Sequence, residues 1–343
     1  MNCGCLSSKR SSCLIVLWIL AVLAASQPAA GQTDLSDVHI DSRKPDKSEA
    51  SAMAQPWSDT KSDTKMEPLK VDVNLVLVPV TVTDDMNRVV LGLDKENFQV
   101  YEDKQLQSVQ HFSSTDVPIS IGIIFDTSGS MSSKIDRARE AVVEFLKIAN
   151  PQDEFFMIAF SDTPRQIVDF TGSTDEVQNN LVFTNPKGTT ALLDAIYLGV
   201  SKMKNSKWPR KALLIISDGG DNHSRYTEKD VKRLVRESDT TIYALGIYDR
   251  YFRTEEERLG PELLSDISQV TGGRSFTIDN PKDLPDAAGK IAVELRNQYV
   301  LGYRPSSNRH DGKWHKIRVK LLAPKGMPPL QLFAKQGYYA SVD

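Results

Sequence analysis

The apolar run Ile119-Ser-Ile-Gly-Ile-Ile-Phe125 ends abruptly in Asp126-Thr127-Ser128-Gly129-Ser130. One carboxylate and two hydroxyls recur at alternate positions there. An all-oxygen donor set of this kind suits a hard divalent cation such as magnesium. A second apolar run, Ala212-Leu-Leu-Ile-Ile-Ser-Asp218-Gly-Gly, also ends in a carboxylate, and Lys187-Gly188-Thr189-Thr190-Ala191-Leu192 adds hydroxyls at a turn that opens a helix. Each piece alone has a plainer reading. Asp-x-Ser-x-Ser describes a turn and helix cap, with Ser132 or Ser133 capping the helix that follows. Asp218-Gly-Gly describes a strand end, and Thr190 a first-turn helix residue. The three together, in order and at strand or helix ends, are much harder to obtain by accident.

The elements that must position these residues lie in the middle of the chain, 117–296. Apolar strand candidates are Ile119–Phe125, Phe155–Phe160, Gln166–Phe170, Ala212–Ile216, Thr241–Ile247 and Arg274–Ile278. Between them run amphipathic stretches. Ile135, Ala138, Val142, Phe145 and Ala149 recur at helical spacing, and similar stripes run through 192–203, 231–235, 263–270 and 284–295. Strands alternating with helices predict an α/β fold: a doubly wound, mostly parallel sheet of six strands covered by helices on both faces. Ligands of such sheets bind beyond the carboxyl ends of the strands, where strand order reverses. Asp126 and Asp218 fall at that rim.

On these residues the middle of the chain, over 118–296, resembles the von Willebrand factor type A domain, also seen in integrin inserted domains, with its metal-ion-dependent adhesion site. The resemblance assigns Asp126, Ser128 and Ser130 to the family's Asp-x-Ser-x-Ser, Thr190 to its lone threonine and Asp218 to its distal aspartate. Gly188-Thr189-Thr190 stands where the family usually has Gly-Gly-Thr, so Thr189 is an alternative; spacing to Leu192 and Asp194 favours Thr190. The resemblance implies bound Mg²⁺, with Mn²⁺ or Ca²⁺ as alternatives, and a protein partner whose Asp or Glu carboxylate completes the metal shell. In members of that family partner binding can be coupled to movement of the last helix, here 284–295.

The flanks read differently. Val71, Val73, Leu75 and Leu77 alternate, and Phe98–Tyr101 and Val109–Phe112 read as further strands. Beyond the middle, Gln298–Tyr303, Trp314–Leu322 and Gln336–Tyr339 follow the same pattern. Each flank is too small to be stable alone. Residues 70–116 and 297–343 are therefore expected to form one small β-sandwich into which 117–296 is inserted. Residues 32–69, with the repeat Ser58-Asp-Thr-Lys-Ser-Asp-Thr-Lys65, are polar and read as a disordered linker.

Residues 1–31 read as a signal peptide. Lys9 and Arg10 precede the apolar run 13–25, which ends before Ala29, Ala30 and Gly31. All 3 cysteines, Cys3, Cys5 and Cys13, lie inside it, so the exported chain would hold no disulfide or thiolate ligand. The expectation is a bacterial protein of the periplasm or cell exterior, with no stable membrane span once the signal is cleaved; an uncleaved anchor is the alternative. The flanks and signal also resemble a group of secreted bacterial proteins related to this domain. A net charge of −3 gives no reason to invoke nucleic acid.

No His-Glu-x-x-His, phosphate loop or Gly-x-Ser-x-Gly elbow is present. The reading is a secreted, cation-dependent protein-binding module of the adhesion type, not an enzyme. The rivals are a metal-dependent hydrolase or phosphotransferase using Asp126 or Asp218 as nucleophile, and a structural envelope protein with a rigidifying metal. Asp221, Asn222 and His223 read as solvated loop residues, with support for the rim ligands or a specificity rim as the alternatives; His310 and His315 read as exposed imidazoles at a hairpin turn, with a transition-metal site as the alternative. Arg250–Arg258 reads equally as a mixed-charge loop able to contact a partner and as a solvated helix start.

Overall fold

A computed structural model describes residues 75–248, 255–306 and 311–340, without the side chains of 255–258. The expected signal peptide and linker, Val71, Val73 and His310 lie outside the described residues. The chain divides into two units, and all described residues belong to the second, Leu69–Asp343. Chain order begins with β1 (Val76–Thr83), β2 (Phe98–Glu102), β3 (Gln105–Gln107) and β4 (Val109–Ser113). The middle runs β5 (Ser120–Asp126), α1 (Ile135–Lys147), β6 (Glu154–Phe160), β7 (Pro164–Thr171), α2 (Thr174–Val182) and α3 (Leu192–Lys202). It continues β8 (Lys211–Ser217), α4 (Glu228–Glu237), β9 (Thr240–Ile247), α5 (Glu255–Val270), β10 (Ser275–Ile278) and α6 (Leu284–Arg296). Strands β11 (Tyr299–Tyr303), β12 (Trp314–Leu321), β13 (Gln331–Ala334) and β14 (Gly337–Tyr339) follow.

The six-stranded sheet has the order β10-β9-β8-β5-β6-β7, and every neighbouring pair is parallel except β6 with β7. Strands β5 and β9 are buried at every residue, which is why they read as continuous apolar runs rather than alternating ones. On one face Ile121, Ile123 and Phe125 pack with α1, α2 and α6. On the other, Ile124, Ile158 and Ile215 pack with α3, α4 and α5. The sheet is thus doubly wound, as the sequence pattern predicts. Helix α2 was not among the amphipathic stretches because it buries only Val177 and Leu181, one contact pair instead of a stripe. Helix α5 begins at Glu255, in agreement with the helix-start reading of 250–258.

The chain leaves β5 toward β6 on one side and, after β7, crosses back to β8 on the other. Strand order therefore reverses at β5, and the carboxyl ends of β5 and β8 open a crevice between the connecting loops. The flanking segments form two further four-stranded sheets, β13-β1-β11-β4 and β14-β12-β2-β3. Each takes strands from both ends of the chain, and Val78, Val80, Phe98, Val100, Leu301, Tyr303 and Ile317 fill the core between them. Among the described residues no helix is long and apolar enough to cross a membrane.

Candidate functional site

Asp126 is the last residue of β5 and fully buried; Asp218 follows the last residue of β8 and is 1% exposed. The backbone N–H of Ser128 donates to Asp126 Oδ1 at 2.8 Å, and the Ser217 hydroxyl donates to Oδ2 at 2.6 Å. The Ser217 oxygen accepts in turn from the N–H of Gly219 at 3.0 Å, so one hydroxyl links the ends of the two strands. The hydroxyls of Ser128 and Ser130 lie 3.0 Å apart.

These hydroxyls are not helix caps. Ser128 precedes a 3₁₀ turn, Gly129–Ser133, without a side-chain capping bond, and the residue before α1 is Lys134, which gives none either. Capping by Ser132 or Ser133 is therefore a correction. The intervening turn puts the cap position of α1 at Lys134, two residues beyond Ser132, whose hydroxyl donates back to the Gly129 carbonyl at 2.6 Å.

Two backbone bonds fasten the loop bearing the threonines to the loop after β5. Gly129 N–H donates to the Gly188 carbonyl at 3.1 Å, and Lys187 N–H to the Thr127 carbonyl at 2.8 Å. The two threonines then take different surroundings. Both the N–H and the hydroxyl of Thr189 donate to Asp162 Oδ1, at 2.7 and 2.6 Å. Those bonds, hydroxyl first, hold the Asp162 carboxyl below its ordinary range. Thr190 is buried, and the loop after β8 grips its peptide: its N–H donates to Asn222 Oδ1 at 2.9 Å, and its carbonyl accepts from the N–H groups of Asn222 and His223 at 3.0 and 3.1 Å. Asp221 Oδ1 accepts from Leu193 N–H at 3.2 Å and the Ser224 hydroxyl at 2.6 Å. Asp221 and Asn222 do lie in a loop, Asn222 exposed, and both nevertheless hold backbone N–H groups of the threonine loop and of α3. The loop carrying Asp218 also fixes the start of α3.

Asp162, Ser217 and Lys134 were not singled out in the sequence. Ser217 immediately precedes Asp218, and Asp162 lies just past the carboxyl end of β6, so their positions beside strand ends were the available signal. Lys134 gave none: only the fold carries its Nζ to 3.5 Å from Asp218 Oδ2 and 3.4 Å from the Ile247 carbonyl. Burial above all, and then the charge of Asp218, pushes the Asp126 carboxyl up to about 7, against the hydrogen bonds from Ser128 and Ser217. Two buried carboxylates thus lie at adjacent strand ends, with one buried ammonium 3.5 Å from Asp218. Buried charge is costly unless paired, and a divalent cation supplies what one ammonium does not. Asp126, Ser128, Ser130, Thr190 and Asp218 offer oxygen donors, two carboxyls and three hydroxyls, of the type that a hard cation takes.

Residues 121–220 match the model of the von Willebrand factor type A domain. The chain is 31% identical over 153 residues to inter alpha-trypsin inhibitor, heavy chain 4, of Mus musculus, a match covering 40% of this chain and 16% of that protein. It is 24% identical over 144 residues to an inter-alpha-trypsin inhibitor heavy chain of Homo sapiens, covering 38% of this chain and again 16% of the relative. The chain thus spans only 16% of the length of these curated relatives. A solved structure described as von Willebrand factor type A from Catenulispora acidiphila is 12% identical, with a TM-score of 0.46, over 77% of this chain and 73% of that one. The match identifies residues 121–220, which contribute β5 to β8 of the central sheet, as a von Willebrand factor type A domain.

Proposed function

We propose that Asp126, Ser128, Ser130, Thr190 and Asp218 hold a magnesium ion, with manganese or calcium as alternatives, in a secreted protein-binding module of the adhesion type. The observation that carries this reading is the juxtaposition of Asp126 and Asp218, both buried at adjacent strand ends, with Lys134 the cation paired to Asp218 among the described residues. Bound there, the ion would neutralise the carboxylate pair and attract an Asp or Glu side chain of a partner protein. The chain's own residues prepare that role. Ser217 and the Ser128 amide orient Asp126, while Asn222 and His223 fix Thr190. Asp162 occupies the Thr189 hydroxyl and so favours Thr190 for the threonine position. Neutral hydroxyls leave the ion electron-poor, suited to binding a carboxylate and poorly suited to activating water, so we read the domain as non-catalytic. Export of the chain is part of the proposal and rests on the 1–31 segment.

The test is capture of envelope or extracellular proteins by the immobilised chain in magnesium buffer. Binding is expected to vanish with chelator and in Asp126→Ala, whose circular dichroism should remain that of the wild type. Capture that survives both treatments would refute the reading, and turnover of a phosphoester or peptide would replace it with an enzymatic one.

A further inference from the structure

The sandwich holds a second cluster of metal-type ligands, on different elements from the rim. The sequence reading of His315 as an exposed turn imidazole is corrected here: it lies on β12, is 3% exposed and faces the β2–β3 turn. Register sets this, because Ile317 of β12 pairs with Glu102 at the end of β2. His315 Nδ1 lies 2.8 Å from Asp103 Oδ2 and 3.9 Å from Glu102 Oε1. One ligand atom from each of the three residues falls within 4.8 Å of the other two.

We propose that Glu102, Asp103 and His315 form a zinc site, with His315 bound through Nδ1. A tetrahedral zinc with ligands at about 2.0–2.2 Å keeps its ligand atoms about 3.3 Å apart, and the 2.8 and 3.9 Å separations bracket that value. An imidazole nitrogen among carboxylates selects a transition metal over magnesium. Two carboxylates and a neutral imidazole also balance the charge of the ion.

The surroundings of the three groups are those of oriented ligands. Metal-bound histidines present their other ring nitrogen to a carboxylate or carbonyl, and His315 Nε2 lies 3.2 Å from Asp311 Oδ1. Glu102 is 3% exposed, and its Oε2 accepts from the hydroxyls of Tyr303 at 2.6 Å and Tyr338 at 3.3 Å. Asp103 Oδ1 accepts from the N–H of Lys316 at 3.0 Å. Glu102 Oε1 is the atom these bonds leave over. It lies 3.9 Å from His315 Nδ1, beyond hydrogen-bond reach. A plain ion pair between His315 and its aspartates does not reach that oxygen; a shared metal does. The fourth position would fall to water or to a partner's side chain.

The experiment is zinc titration of the full chain in excess magnesium, with cobalt(II) as a spectroscopic probe of coordination. Expected are one equivalent of bound zinc and a tetrahedral cobalt spectrum, both retained in Asp126→Ala. Affinity should fall about tenfold or more in Glu102→Gln and His315→Asn, and about 10- to 100-fold in Asp311→Asn. Should His315→Asn fail to fold by circular dichroism, Glu102→Gln and Asp311→Asn decide, since both keep side-chain size. Absence of zinc binding by the wild type, an octahedral cobalt spectrum, or wild-type affinity in the folded variants would overturn the proposal and leave a histidine–carboxylate ion-pair cluster.

Discussion

Asp126 carries the central tension of the site: it is buried, its neighbour Asp218 bears the same charge, and Lys134 reaches only one of the two. Asp126→Asn should relieve that tension in the metal-free protein, because an amide can accept from Ser128 and donate to Ser217. A gain of about 1–3 kcal/mol is expected, read as a rise of a few degrees in metal-free Tm. The same variant should lose the further rise that magnesium gives the wild type. A lower metal-free Tm would show that the carboxylate pair is already satisfied by the protein. At this scale the legible part of the site was the part carried by a spaced motif. Asp126, Ser128 and Ser130 could be read from the chain, whereas Lys134 and Asp162 act through contacts that only folding creates.

Among the elements, the loop after β8 is the most constrained. Gly219 has φ +76°, and a Cβ there would lie 2.7 Å from Gly260 Cα of α5, a backbone atom that cannot step aside. Gly219→Ala should therefore cost about 2 kcal/mol or more, seen as a lower urea midpoint at unchanged slope. Helix α6 is docked by a buried charge: Glu294 is fully buried against Arg274. Burial pushes its carboxyl up to about 7, with the Arg274 charge opposing. Between pH 4.5 and 7 the folded chain then holds a proton that the unfolded chain has released, so this group's contribution falls as pH rises. Relative to Glu294→Gln, wild-type stability should decline by up to about 1.4 kcal/mol per pH unit in that window, measured by urea denaturation across pH. A flat difference would place the ionised pair in the fold at every pH tested. The long strands and helices were legible because their apolar patterns are continuous. Helix α2 and strand β13 were not: the first buries a single pair of residues, and the second is four residues long on a sheet edge.

The whole molecule is set by how the flanks share strands. β1 has β11 and β13 as its neighbours, and β2 is bonded to β12, so the first flank depends on strands more than 180 residues later in the chain. Ending the chain after Arg296 should leave the central sheet folded while the amides of β1 and β2 exchange hydrogen like unstructured chain. Protected β1 and β2 amides in that truncation would mean the first flank folds alone. The existence of such a sandwich could be anticipated from matching alternation at the two ends; its register could not, and register is what buries His315 beside Glu102. The central claim, that the rim of the inserted domain is a divalent-cation site, is tested most directly by calorimetric titration of magnesium into the purified full chain and into Asp126→Ala. The wild type should bind one equivalent at the rim and the variant none there. No magnesium binding by the wild type, or equal binding by both, would contradict it.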